Sequence, residues 1–152
     1  MKPASLLVAL LLVCSSCDSG NPDPIILPSP KPELVADSSY TVTASGLKYV
    51  DLVVGDTARV TADSGDVVLI DYHAWLEDET IFDSSILAGQ PIQFALGFGN
   101  VIAGIDEGVD GMHLGGLRQV IIPPELGYGE EGNEVVPPNE TLTFEIALLG
   151  AQ

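Results

Sequence analysis

The sequence predicts an α+β domain, one antiparallel sheet with one short central helix, and three observations carry that expectation. From Gly46 onward the chain is a series of short apolar runs cut by Gly, Pro and Asp, the pattern of strands joined by turns. The long run "VVLIDYHAWL" (67–76) alternates with period two. Only one stretch, "VIAGIDEGVDGM" (101–112), has apolar residues recurring three or four apart.

Each element follows from its own residues. "LKYVDLVV" (47–54) reads as a strand that stops at Gly55-Asp56, a turn signal. In 67–76 the alternation places Ile70, Tyr72, Ala74 and Leu76 on one face and Asp71, His73 and Trp75 on the other. "TIFDSS" (80–85), "IQFAL" (92–96) and "RQVIIP" (118–123) are short strands, and "TLTFEIALL" (141–149) closes the sheet. In 101–112, Val101, Ile105, Val109 and Met112 share one helical face. The glycines of that stretch make it a poor helix in isolation, so packing against the sheet must hold it.

The first 45 residues have a different character. Lys2 precedes "LLVALLLV" (6–13), an apolar run too short to span a bilayer but of the length of a signal h-region. "CSSC" follows, and the small Ser15 and Ser16 before Cys17 resemble a bacterial lipoprotein signal, in which the cysteine after the cut carries the lipid. On that reading residues 1–16 are the signal, Cys17 is the lipidated (palmitate-type) first residue, and the mature chain has no second cysteine for a disulfide, a catalytic thiol or a metal site. Cys14 departs from the pattern, because Leu is usual at the third position before the lipidated cysteine. Residues 17–45 include five prolines between Pro22 and Pro32 and read as an extended tether, because proline fixes φ and lacks a donor. The domain proper is then 46–152, held on a membrane of the bacterial envelope by its lipid alone.

Charge and composition exclude several functions. Five Lys and Arg stand against 22 Asp and Glu, a formal net charge of −17. Such a surface repels phosphate backbones and anionic lipid, which argues against nucleic-acid partners and electrostatic membrane docking. Nucleophile elbows and phosphate-binding loops are missing from the sequence, and "GFGNVIAG" (97–104) has the wrong glycine spacing for a dinucleotide. His73 and His113 each lack a second histidine at ligand spacing and read as surface or turn residues, so neither a metal nor a cofactor is expected.

Four segments, "GLKYVDLVVGD", "YHAWLEDETIFDSS", "GNVIAGIDEGVDGM" and "IPPELGYGEEGNEVVPPNETLTFEIALL", are together similar to the FK506-binding (FKBP) family of peptidyl-prolyl isomerases. The resemblance runs in order from Gly46 to Leu149. It implies a twisted antiparallel sheet curled around one short helix, with an apolar cleft between them that takes a proline side chain. Matched by motif, Tyr72, Phe82, Asp83, Ile92, Phe94, Val101, Ile102, Ile105 and Phe144 fall at positions around that cleft, and Tyr128, Val135 and Val136 on a loop that overhangs it. Read from their residue types alone, Tyr72, Phe94 and Phe144 would be core residues in any such sheet. Asp83 and Tyr128 are sharper, since neither is needed to fill a core, and an acid beside Phe82 must find a donor or stay near water.

The implied activity is rotation about X-Pro bonds of polypeptide clients by a monomer. Tyr72, Phe82, Ile102, Ile105 and Phe144 would grip the proline ring. Tyr128 and the N–H of Ile102 would bond substrate carbonyls, and Asp83 would orient the tyrosines. The sequence departs from the family at the cleft floor, where Ile105 replaces the usual tryptophan, and at Ile92, where an aromatic is common. Glu79 takes the place of a turn glycine, and the overhanging loop is short and carries Glu130, Glu131 and Glu134. These departures keep a second expectation open, a proline-binding chaperone or interaction module with little turnover. A purely structural envelope lipoprotein has little support.

Overall fold

The structure, a computed structural model, describes residues 31–33 and 35–152. The expected signal, Cys17 and most of the expected tether lie outside the described residues.

Two long strands make the centre of the sheet. Val67–Trp75 forms β3, rich in the β-branched and aromatic residues that suit a pleated, half-buried surface; Leu142–Ala151 forms β7. They pair antiparallel from Val68↔Ala151 to Trp75↔Thr143, with a register shift between Leu69 and Ile70. Around them lie β1 (Thr41–Val42), β2 (Lys48–Val53), β4 (Ile81–Ser84), β5 (Ile92–Ala95) and β6 (Leu117–Ile122). The order is β1-β2-β6-β7-β3-β4, and β5 also pairs with β3. Bulges between Asp51 and Val53 and between Ala74 and Trp75 add the local twist that curls the sheet.

The expected alternation holds on the inner face: Ile70, Tyr72 and Ala74 join one core cluster with Val68, and Leu76 is partly buried against it. The expected central helix is α2 (Ala103–Val109), two residues shorter at its start and three at its end than the apolar spacing of 101–112 implied. Its glycines have a packing reason. A Cβ on Gly104 would come within 2.4 Å of Ile122, and one on Gly108 within 3.1 Å of Val120. Glycine at both positions lets the helix lie close on β6, where Ile105 and Val109 are buried. Arg118 secures the far end of α2: its guanidinium donates to the carbonyls of Gly108 and Asp110, both at 3.0 Å. The same side chain donates to Asp51 at 2.6 Å and lies 4.4 Å from the Tyr49 ring centroid.

Three findings correct the sequence reading. "TIFDSS" does not stay extended to its end: Ser84 accepts the N–H of Leu87 and caps a one-turn helix, α1 (Ser85–Ala88). The tether expected to run to residue 45 also ends earlier. After Pro32, the last proline of the run, each residue again carries an N–H donor. Glu33 bonds to the side chain of Glu145 on β7, Asp37–Ser39 make a 3₁₀ turn, and Thr41 and Val42 pair with Tyr49 and Lys48. This strap lies across the sheet face opposite α2. His73, expected on the surface, is buried there, with its Nδ1 2.8 Å from Ser84 Oγ.

Candidate active site

Between α2 and the inner face of the sheet opens a cleft of about 130 Å³ lined by Ile70, Tyr72, Asp83, Ile92, Val101, Ile102, Ile105, Tyr128 and Phe144. Its walls come from strands whose inward positions are fixed by pairing. Tyr72 and Phe144 sit on neighbouring strands with ring centroids 5.8 Å apart. Phe82 stands edge-on to both Phe144 (5.9 Å) and Tyr128 (6.5 Å) and braces the wall from β4. Such tilted and edge-on pairs fix ring orientation and add to plain burial. Ile105 closes the floor from α2.

Polar atoms at the cleft are few and specific. The Tyr72 phenol donates to Asp83 Oδ2 at 2.6 Å, and Ser84 N–H donates to Asp83 Oδ1 at 2.8 Å. The carboxylate is thus held by two donors while its residue stays exposed to water. Burial, followed by the bond to Asp83, pushes the Tyr72 phenol far above the ordinary tyrosine range, so it remains a donor. Burial and the Asp83 charge likewise raise the Tyr128 phenol. Among the described residues the Tyr128 hydroxyl has no hydrogen-bond partner, and neither has the N–H of Ile102. Both are therefore available to a ligand carbonyl.

Two loops position these groups. Asp106, in the first turn of α2, accepts the N–H of Gly97 (3.1 Å) and of Gly99 (3.0 Å), which ties the chain leading to Val101 and Ile102 onto the helix. After the 3₁₀ turn Pro124–Leu126 comes the overhanging loop. Asn133 Oδ1 accepts the N–H of Val135 (2.8 Å) and Val136 (2.7 Å), and Asn133 N–H donates to the Val136 carbonyl (2.8 Å). Gly132 makes the sharp entry to this turn at φ +62°.

Eight of the twelve residues assigned to the cleft from sequence line it: Tyr72, Asp83, Ile92, Val101, Ile102, Ile105, Tyr128 and Phe144. Phe82 supports the wall, and Phe94, on β5, is buried in the core without lining the cleft. The two valines of the loop part company: Val136 is 1% exposed and belongs to the core, whereas Val135 is 60% exposed. Ile70 lines the cleft and was missed as a site residue, although the alternation Ile70–Tyr72–Ala74 already placed it on that face. Asp106 had no signal in the sequence, because its partners are backbone groups.

The matching family is described as FKBP-type peptidyl-prolyl cis-trans isomerase, over residues 58–149. The chain is 51% identical over 116 residues to FK506-binding protein 2 of Yarrowia lipolytica, which covers 71% of this chain and 81% of that protein. It is 49% identical over 89 residues to an FK506-binding protein of Neisseria meningitidis serogroup C, covering 58% of this chain and 82% of that one. Among solved structures, FkpA from Escherichia coli superposes with a TM-score of 0.70 at 34% identity, over 76% of this chain and 53% of that chain.

Proposed function

Because the chain belongs to the FKBP-type peptidyl-prolyl cis-trans isomerase family, and so accelerates rotation about X-Pro bonds, we propose that the cleft between α2 and the sheet performs that rotation through named groups. The observation that carries this reading is the meeting, in one apolar cleft, of the Tyr72–Asp83 pair with two unused donors, the Tyr128 hydroxyl and the Ile102 N–H.

The reaction makes and breaks no bond. Its barrier, ~18–20 kcal/mol, comes from amide resonance, and uncatalysed exchange takes roughly tens to hundreds of seconds. Twisting returns the lone pair to nitrogen and weakens the carbonyl dipole. A cleft that removes water from the planar amide therefore raises its energy relative to the twisted one. Stripping water from a carbonyl costs ~2–7 kcal/mol, and each ~1.4 kcal/mol retained at the transition state is a factor of ten in rate.

Tyr72, Phe82, Ile102, Ile105 and Phe144 hold the proline ring; the Tyr128 hydroxyl and the Ile102 N–H take carbonyls on either side of the twisting bond. Asp83 fixes the Tyr72 ring and presents its charge where the nitrogen gains basicity. Val135, on the exposed tip of the loop, touches the residues flanking the proline. The test is exchange of an X-Pro peptide followed by NMR or a protease-coupled assay. The double variant Tyr128→Phe with Asp83→Val should lose most of the acceleration, and a wild-type rate would overturn these roles.

Ile105 at the floor favours a second reading, a proline-binding module with low turnover, and the same assay separates the two by absolute rate. We further propose that the protein is a monomer anchored in a bacterial envelope through lipid on Cys17, with residues 1–16 removed. The "CSSC" segment after a short apolar run supports this. Mass spectrometry of the membrane fraction tests it: a Cys17→Ser chain that still partitions with lipid excludes the anchor.

A further inference from the structure

β7 places Glu145 next to Phe144 in sequence and therefore on the opposite face of the sheet, away from the cleft. A carboxylate in mid-sheet ordinarily reaches water, yet Glu145 is 0% exposed. A strap made of Glu33 and residues 35–40 helps to cover it. Glu145 Oε1 accepts the N–H of Glu33 at 2.6 Å and the side-chain amide of Gln119 at 2.9 Å. Gln119 donates its other hydrogen to the Glu33 carbonyl at 2.9 Å, and the Tyr40 hydroxyl donates to Gln119 Oε1. Glu145 Oε2 is buried with no hydrogen-bond partner among the described residues.

A closed strap thus sits on a carboxyl group with one oxygen doubly bonded by donors and the other bare. As an anion this group carries an uncompensated buried charge, which is costly. A proton on Oε2 removes that charge and leaves both bonds to Oε1 intact. When the strap lifts, water reaches the carboxylate and the advantage of the proton disappears. We propose that Glu33 and residues 35–40 act as a proton-linked strap, closed while Glu145 is protonated and loosened when Glu145 ionises.

Among the described residues the surroundings supply no countercharge. From β3, His73 shares its Nδ1 with Ser84 and burial keeps it toward the neutral form, while Asp71 accepts from Ser85. From β6 comes the uncharged Gln119. The strap brings Glu33, whose charge adds to the penalty, and Tyr40; its Asp37 is taken by Lys48, and Lys31 by Glu79. Burial raises the Glu145 carboxyl above the ordinary range, against the opposing pull of the Glu33 N–H and Gln119.

The sign follows from linkage. The closed strap binds the proton more readily than the open one, so closure is strongest below the ordinary glutamate value of ~4.3. It weakens by up to about tenfold per pH unit as pH rises to the raised value, and levels off above it. Release frees residues that, fully extended, each add at most roughly 3.3–3.6 Å of reach to the chain before them.

Hydrogen exchange of the full chain, followed at the amides of Glu33 and Tyr40, tests the proposal. Protection, corrected for the intrinsic rate, should fall as pH rises through the window, and Glu145→Gln should hold it flat and high. Protection independent of pH in the wild type, or an unchanged slope in Glu145→Gln, overturns the proposal. Should that variant not fold, the ¹³C shift of the Glu145 carboxyl in the wild type decides: titration in the ordinary glutamate range overturns the proposal, and titration above it supports it.

Discussion

Tyr72 and Asp83 are joined from one strand of the β3–β4 pair to the other by a 2.6 Å hydrogen bond, the phenol donating to Oδ2 at the wall of the cleft. The pair has one partner facing the core and one facing water, and this asymmetry sets its strength. A hydrogen bond to a charged group contributes ~1.5–3 kcal/mol, and solvent around Asp83 screens it toward the lower end. Asp83→Val should therefore lower kcat/KM by about tenfold. Asp83→Asn, which can still accept from Tyr72, should lose only about threefold. Peptide exchange rates on variants whose circular dichroism matches the wild type check both values.

Tyr128 contributes differently, because its hydroxyl makes no hydrogen bond among the described residues while its ring packs edge-on against Phe82. Tyr128→Phe keeps the ring and removes only the donor. The expected result is unchanged thermal stability with kcat/KM down roughly three- to tenfold, the equivalent of one neutral hydrogen bond of ~0.5–1.5 kcal/mol. A fall in melting temperature with no loss of rate would show that the hydroxyl serves the fold.

The field around the cleft gives a third expectation. Lys31, Lys48, Arg59 and Arg118, the cations among the described residues, are each paired with a carboxylate. The acids of the overhanging loop, Glu130, Glu131 and Glu134, take part in none of these pairs. Clients with Lys beside the X-Pro bond should then be turned over several-fold faster than clients with Glu there, in ~0.01 M salt. The preference should vanish near 1 M, where the screening length shrinks from ~30 Å to ~3 Å. Equal rates at low salt would remove any role of the loop acids in selection.

What could be read in advance divides along the same physical line as these predictions. Strand alternation in 67–76 and the helical spacing of Ile105 and Val109 specify which residues face inward, so the inner face and the cleft walls were legible. The resemblance added Asp83 and Tyr128, which no periodicity selects. Three features escaped. The α1 turn depends on the Ser84 side chain reaching the Leu87 N–H, a choice that competes with continued strand. The split between Val135 and Val136 is made by Asn133 bonding both their amides, which turns one side chain inward and the other out. The strap over Glu145 depends on pairings 79 to 112 residues apart in sequence, and local pattern carries no such information.

The same Asn133 turn explains why Gly132 has to be glycine. At φ +62° an L side chain is strained, and its Cβ would lie 2.3 Å from the Val136 carbonyl oxygen and 2.7 Å from the Pro137 carbonyl carbon. Backbone cannot give way as a side-chain end can, so Gly132→Ala must move the loop. The strain is ~1–3 kcal/mol. It should appear as a lower melting temperature and a lower kcat/KM together, because Val136 anchors the loop in the core and Tyr128 precedes it. Wild-type activity in Gly132→Ala would show that the loop does not position Tyr128.

Ile105 bears on the choice between an efficient isomerase and a proline-binding module. It is buried at the floor, and Ile105→Ala should cost ~2–5 kcal/mol of stability through the cavity it leaves. Ile105→Trp asks the more useful question. A larger floor touches the proline ring, and the ring is present in the planar and the twisted amide alike. Contacts made equally in both states lower KM and leave kcat unchanged. The expected result is therefore KM reduced a few-fold at constant kcat. If kcat itself rises tenfold or more, the floor must act on the transition state, the natural isoleucine limits turnover, and the binding-module reading gains. Single-turnover line-shape measurements at saturating peptide separate the two outcomes, since they report the rotation rate independently of binding.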